Sequence, residues 1–426
     1  MTAGRVVLIA FLAILLALGV VGVANVLGQR SASQDLQASL DPFYTPPDPL
    51  PQEPGTVIRV EPLTFDDSEL TVQGGSAYRM LYVSQRPDGT AAASGAMVFV
   101  PDAPAPEGGR NVVAWAHGTV GMGDPCAPSR DPSGTQDMAG WLEQMMALGW
   151  VVVGTDYVGL GTPGPELYLV AQAEAKDVVN SVRAVRAWEP AEAGTTYAVF
   201  GHSQGGHSSL WTGHLGPELA PELDLIAVAA AAPAAELPTI VEAQWDTAVG
   251  WAIGPESTVA WTAINPTLPI EGVLTPAGQD NTERLAEECI QAAALEGLVR
   301  DGLGGLYYET NPLQSPAWAS VVNEQTPPPL PSDMPVMVAQ GTTDEVVLAS
   351  PNAQLQRTWC AAGSTLSMLW MGEIGHLAAA KTAGPQVVTW LAERFAGTPA
   401  KPACDGPIPV DITGPPAVAP VPPPDN

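Results

Sequence analysis

From Tyr197 to Trp211 the chain reads YAVFGHSQGGHSSLW. An apolar run of strand character reaches Ser203, held between Gly201 and Gly205, and passes at once into helical spacing. Where a strand turns so tightly into a helix, the two segments cross with no room for side chains, and flanking glycines let the backbones approach. A buried strand followed at once by a helix belongs in a parallel sheet covered by helices. The turn therefore restricts both the architecture and the place of the serine, at the carboxyl end of an inner strand.

The flanking sequence extends this pattern. TVIRVEPL, AYRMLYVSQR and SGAMVFVP read as antiparallel strands at one edge of the sheet. NVVAWAHG, which runs from Asn111 to Gly118, and WVVVGTDY, from Trp150 to Tyr157, are buried strands with the helical MAGWLEQMMALG between them. VAQAEAKDVVNSVRAVRAW is a helix with Val178, Val182 and Val185 on one face, and LIAVAAAAP follows the serine-bearing helix as another strand. From Ala234 to Pro331 the alternation gives way to helical sequence carrying tryptophans and punctuated by prolines. It resumes with MPVMVAQGTTD, LASPNAQLQRTWCAA, TLSMLWMGEIGH and AGPQVVTWLAERF. The expected fold is α/β, with a mostly parallel central sheet. Its core is contributed by residues 56–233 and 332–400, and 234–331 is inserted as a helical cap, or lid, over the carboxyl edge where such sheets bind ligands.

The ends fall outside this core. Residues 6–29 carry no charge, and as a helix they span about 36 Å, enough for a bilayer core of about 30 Å. Residues 1–30 therefore read as a signal peptide or a retained signal anchor, with Gly22-Val23-Ala24 a small-x-small cleavage site. Either reading puts the rest of the chain outside the cytoplasm, secreted or anchored to the outer face of the cytoplasmic membrane. Residues 31–55 read as a proline-rich linker or arm, and 401–426 as an extended proline-rich tail. The formal net charge of −29 excludes nucleic acid as a partner, because phosphates would be repelled. Cys126, Cys289, Cys360 and Cys404 suit an oxidising compartment, and their spacing fits neither zinc nor redox use. Four cysteines allow three pairings, among which spacing does not choose.

A serine hydroxyl becomes a nucleophile when an imidazole takes its proton, and the imidazole needs a carboxylate to hold its tautomer. The five histidines can be weighed singly. His202 adjoins Ser203 and is expected to project away from it. His207 and His214 sit on the helix after the turn, where they read as helix-face residues. His117 lies on the loop after an earlier strand. His376 ends a strand-like run late in the chain, which suits the order serine, acid, histidine. Asp344, on the turn after VMVAQ, is the expected acid. Its neighbour Glu345 is the runner-up and reads as solvent-facing, and Asp156 reads as structural. The oxyanion of a tetrahedral intermediate needs preorganised N–H donors. These are expected from Gln204, directly after the serine, and from Gly118 or Thr119 after the NVVAWA strand. Gly159-Leu-Gly161-Thr-Pro-Gly164 matches a dinucleotide fingerprint, but Pro163 and Pro165 crowd the place where a helix should open, so it reads as a surface loop. No HExxH or other metal-ligand cluster is present, and no cofactor is expected.

DPFYTPP, PGTVIRV, HGTVGMGDPCAPS, VVGTDYVGLG, FGHSQGGHSSLW, QGTTDEVV and GEIGH together resemble the secretory lipase family, within the α/β-hydrolases. The likeness runs from about Asp41 to Cys404. It implies an ester hydrolase acting on lipids, with Ser203, Asp344 and His376 as its triad and an acyl-binding tunnel in the cap. It also implies pairing of Cys126 with Cys289 and of Cys360 with Cys404. His117-Gly118 departs from the acid-bearing loop of the family's type enzyme, and Gln204-Gly205 from its nucleophile motif.

The expected function is an exported serine carboxylic-ester hydrolase, a triacylglycerol lipase or esterase, working through an acyl-enzyme on apolar esters at a lipid interface, with membrane anchoring through 6–29 if that segment is retained. The alternatives are an acyltransferase using the same acyl-enzyme and a catalytically silent, surface-anchored lipid-binding protein. The cap's tryptophans offer an acyl-chain surface or, more simply, the cap's own core.

Overall fold

A computed structural model of the chain describes residues 37–411, apart from 66–69 and 71. It forms two compact units, divided after Thr45. In the first, 37–44 are helical. This stretch was expected to be linker; its helix takes in Pro42 and ends before the Pro46-Pro47 pair, which would block further winding. The signal or anchor segment lies outside the described residues. Among those that are described, no helix is long and apolar enough to cross a membrane.

Among its described residues the second unit holds nine strands in one sheet: β1 (Val57–Pro62), β2 (Gly75–Gln85), β3 (Ala91–Pro101), β4 (Arg110–Ala116), β5 (Val151–Thr155), β6 (Ala193–His202), β7 (Asp224–Ala231), β8 (Val336–Gly341) and β9 (Leu366–Met371). Their spatial order is β1-β2-β3-β5-β4-β6-β7-β8-β9. The first three strands and the β3–β5 pair are antiparallel, and every pair from β5 to β9 is parallel. The reversal between β4 and β5 makes β4 and β6 neighbours, which brings the loops after both strands to one edge.

Alternation along the inner strands decides which face each side chain covers. Val113 and Trp115 of β4, Val152 of β5 and Phe200 of β6 enter one core layer, beneath α1 (Leu142–Ala147) and the carboxyl-terminal helix Ala379–Phe395. Val112 and Ala114, Val151 and Val153, and Val199 enter the other. There Val178, Val182 and Val185 of α2 (Ala171–Ala187) meet them, as their helical spacing predicts. The serine-bearing helix α3 (Gln204–Leu219) lies on that same face.

Between β7 and β8 the chain forms α4 (Leu237–Gln244), α5 (Ala248–Ile264), α6 (Pro276–Glu287), α7 (Ile290–Gly302) and α8 (Pro316–Glu324). Trp251, Trp261 and Trp318 are buried with Tyr307, Tyr308 and Leu274 in a separate core, which also takes Leu167, Tyr168 and Leu169 from the loop before α2. Each of these indoles finds an acceptor: the carbonyls of Gly305, Leu169 and Pro269 respectively. These three tryptophans thus hold the insertion together and tie it to the sheet domain.

After β8, α9 (Ala349–Ala362) and β9 precede α10, the Ala379–Phe395 helix. The start of the expected loose tail is fastened. Cys404 is bonded to Cys360 of α9, and the Ala403 N–H donates to the Leu366 carbonyl at 2.8 Å. Residues 412–426 lie outside the described residues.

Candidate active site

Ser203 stands between β6 and α3 with φ 56° and ψ −114°, a left-handed backbone of the kind a strand-to-helix turn imposes. Such a conformation costs on the order of 1–3 kcal/mol for a residue with a side chain and persists only where its surroundings hold it. Here the Ser203 N–H donates to Ala231 on β7 at 3.0 Å, while its carbonyl accepts from Ala234 and His207. A Cβ on Gly205 would lie 1.8 Å from the Ala116 carbonyl oxygen, and one on Gly201 2.0 Å from that of Gly205. The turn requires glycine at both positions.

His376 follows β9, and its Nε2 lies 2.9 Å from Ser203 Oγ. Its Nδ1 is 2.9 Å from Asp344 Oδ2. Asp344 sits on the turn after β8, where its Oδ1 accepts the N–H groups of Val346 and Val347 at 3.0 Å each. Gln340 of β8 donates to Oδ2 at 3.2 Å. The carboxylate is thus fixed at both of its oxygens. Glu345 is exposed, as expected for a neighbour, but its Oε2 also accepts the His376 N–H at 3.3 Å. Three residues far apart in sequence form one hydrogen-bonded chain from acid to hydroxyl.

Gly118 lies against the serine: a Cβ there would be 3.5 Å from Ser203 Cβ. The Thr119 hydroxyl shares a 2.7 Å hydrogen bond with Tyr168. Gln204 opens α3, so its N–H has no acceptor within the helix. Its side chain donates to Glu174 at 3.1 Å and Glu166 at 3.3 Å. Both carboxyls are buried, and Glu256 of α5 is buried with them. Burial, with some added repulsion from Glu174 against the hydrogen bond of Gln204, raises Glu166 to about 8. Burial and then Glu166 push Glu256 well above the usual carboxyl range. This group of acids escaped the sequence reading because nothing local distinguishes Glu166 or Glu256 from surface glutamates.

Of the remaining histidines, His202 and His207 depart from expectation. The His202 ring does not merely turn away from the serine. It packs against the His376 ring, with centroids 4.8 Å apart, and bonds to Asp137 at 2.8 Å. His207 is fully buried, with Nδ1 2.6 Å from Glu174 and Nε2 2.7 Å from the Gln325 carbonyl, so it links α3 to the insertion. His117 is buried and contacts the carbonyls of Gly118 and Asp156. His214 remains on the α3 face, against Trp211.

Asp156 acts locally: its carboxylate takes the N–H of Ser129 at 3.0 Å and also its hydroxyl. The glycine loop is not simply superficial, since Gly159 to Thr162 are buried and only the segment 163–165 is exposed. The Thr162 hydroxyl anchors it to the Ala93 carbonyl at 3.0 Å. Cys126, beyond the Gly118 loop, is bonded to Cys289 at the start of α7.

Residues 133–403 match the model of the secretory lipase family. A lipase A of Arthroderma benhamiae is 23% identical over 86% of this chain and 81% of its own. A Mycobacterium tuberculosis relative described as a "probable inactive lipase" is 25% identical, over 85% and 84%. Among solved structures, Candida antarctica lipase A in its closed state superposes with a TM-score of 0.69 at 19% identity, covering 87% of this chain and 89% of that one. The rice cell wall degrading esterase of Xanthomonas oryzae gives 0.66 at 17% identity, covering 81% and 99%. The chain belongs to the secretory lipase family, a group of carboxylester hydrolases on the α/β-hydrolase fold.

Proposed function

We propose that this chain is an exported serine hydrolase of apolar carboxylic esters, a triacylglycerol lipase or esterase, whose catalytic residues are Ser203, His376 and Asp344. The observation that carries this reading is the unbroken chain from Asp344 Oδ2 through the His376 ring to Ser203 Oγ, both links at 2.9 Å.

Ser203 Oγ attacks the ester carbonyl carbon as its proton passes to His376 Nε2. Asp344 keeps the other ring nitrogen protonated and stabilises the imidazolium. The N–H groups of Gln204 and of Gly118 or Thr119 hold the oxyanion. When the tetrahedral intermediate collapses, the ester C–O bond breaks and the alcohol leaves with the proton from His376. Water, deprotonated by the same imidazole, then attacks the acyl-enzyme, and breaking the acyl bond returns Ser203 and the free acid. The helical insertion serves as the cap, and its link to the Gly118 loop through Cys126–Cys289 supports that role. Two disulfides and the family's secretory character support export.

A silent lipid-binding protein is the second reading, favoured by the relative described as inactive. Turnover of p-nitrophenyl esters of graded chain length decides between them. Wild type should hydrolyse them, and Ser203→Ala should lose about 10³-fold or more in kcat. No wild-type turnover favours the silent protein, and full turnover in Ser203→Ala excludes this nucleophile.

A further inference from the structure

His202 precedes the proposed nucleophile, yet no step above uses it. It is buried at the end of β6, with two polar partners. Its Nδ1 lies 2.8 Å from Asp137 Oδ2, and its Nε2 lies 3.1 Å from the backbone carbonyl oxygen of His376. A carbonyl oxygen only accepts, and an ionised carboxylate only accepts. A neutral imidazole has one N–H, so it would leave one of these two contacts as lone pair against lone pair. Only the imidazolium donates to both.

We propose that His202 is an imidazolium paired with Asp137, and that it acts as a positioning residue, clamping the backbone of His376 so that Nε2 of that residue stays within reach of Ser203. The clamp rests on the triad reading for its purpose, whereas the protonation state of His202 does not.

The surroundings agree. Burial opposes a charge on His202, but the charge and hydrogen bond of Asp137, then the charge of Asp344 and the His376 carbonyl, outweigh it and raise its pKa. Burial likewise opposes ionisation of Asp137, and His202, followed by His376 and His117, prevails to hold its carboxyl below the ordinary range. Asp137, Asp344 and His376 act on the ring itself, and His117 acts on its partner Asp137. The two histidine rings lie with centroids 4.8 Å apart and are tilted by 37°. His376 therefore stands between an anion that holds its ring nitrogen and a cation that holds its main chain. The loop before it is held by the Glu373 N–H on the Thr342 hydroxyl at 3.1 Å and the Thr343 N–H on the Ile374 carbonyl at 3.3 Å, and the His202 contact adds a fixed point on the carbonyl of His376 itself.

The test has two arms. In the first, the full chain is labelled with ¹⁵N-histidine and its imidazole N–H correlations are recorded near pH 8, with His202 assigned by the signals lost in His202→Gln. Both ring nitrogens of His202 should carry protons. One protonated and one bare nitrogen overturns the proposal, whatever the enzyme's activity. In the second, kcat/KM is followed against pH on a soluble ester. His202→Gln should lose about tenfold in kcat with little change in KM, as expected when a reacting group is slightly misplaced. It also leaves Asp137 uncompensated beside the base, so the acidic limb of the profile should move up by about one pH unit.

Asp137→Asn keeps both hydrogen bonds with a neutral ring, because the amide donates to Nδ1 while Nε2–H still reaches the carbonyl. It should retain most of kcat and move the limb less. If His202→Gln does not fold, this variant decides the matter in the first arm: one imidazole should pass from two ring protons in wild type to one in Asp137→Asn, and no such change overturns the proposal. Unchanged kcat with an unmoved limb in folded His202→Gln overturns the clamp, since a merely structural role would change yield alone. Failure of the triad reading would show separately, as turnover surviving in Ser203→Ala.

Discussion

Cys126 and Cys289, 163 residues apart, join the segment beyond the Gly118 loop to the helical insertion. The contact is more than one bond. The Met122 N–H donates to Ala286, and the Ile290 N–H donates to Val120, each at 2.8 Å. A Cβ on Gly121 would lie 2.1 Å from the Glu288 carbonyl oxygen. The segment carrying the proposed oxyanion donors is therefore held against the insertion. In the chain-entropy account, opening a loop of this length lowers stability by about 5 kcal/mol.

We expect Cys126→Ser/Cys289→Ser to lose roughly that much in urea denaturation and also to lose kcat, as Gly118 and Thr119 loosen. Cys360→Ser/Cys404→Ser opens a loop of 44 residues at the opposite edge of the sheet, where α9 ends and β9 begins. It should lose about 4 kcal/mol while the folded enzyme keeps its kcat. Equal effects on kcat from the two pairs would contradict a special role for the first.

The pattern of legibility follows from the range of the interactions. Period-two alternation in NVVAWA and WVVVGT and the valine stripe of α2 are local signals, and the sheet uses them as written. The convergence of Ser203, Asp344 and His376 was legible because each follows a strand, and a parallel sheet delivers all its strand ends to one edge. Asp137 was not, because it comes from an irregular segment 65 residues before its partner His202. Glu166 and Glu256 were hidden for another reason. Sequence favours exposure for a glutamate, and only the packing of the insertion onto the sheet domain buries them. The pairing of the cysteines needed the family likeness, since spacing leaves three choices.

Gly205 should be the least replaceable glycine of the turn. Its missing side chain is where α3 meets the end of β4, with the carbonyl oxygens of Ala116 and His117 only 1.8 and 2.6 Å from a Cβ built there. Neither is a flexible side-chain end, so the backbone itself must move. Overpacking of this kind costs about 1–3 kcal/mol or more, and here it also displaces Gln204 and Ser203. We expect Gly205→Ala to fall by at least that amount in thermal or urea denaturation and to lose most activity in its folded fraction. Gly302→Ala is the matched control. It ends α7 with nothing within 4 Å of an added Cβ, so its stability should stay within about 1 kcal/mol of wild type or rise. Similar behaviour in the two variants would remove the close-packing account of the turn.

Glu166 sets an expectation for pH. Its folded-state pKa stands at about 8 against an ordinary 4.5, through burial first and the charge of Glu174 second. Between those values the native state holds a proton that the unfolded chain releases, so stability falls as pH rises. The contribution is complete below about 4.5 and gone above about 8. Asp156 and Asp177, each raised to about 7 chiefly by burial, add slopes of the same sign, as does mutual repulsion in a chain of net charge −29. Glu166→Gln isolates one share, because an amide keeps the shape and an acceptor for Gln204 but has no proton to lose. Urea midpoints near pH 5 and near pH 8 should therefore lie further apart in wild type than in Glu166→Gln. The variant should be the more stable of the two at the alkaline end. Parallel midpoints would mean that Glu166 is already ionised in the folded protein, and that the buried acids beside Gln204 carry charge.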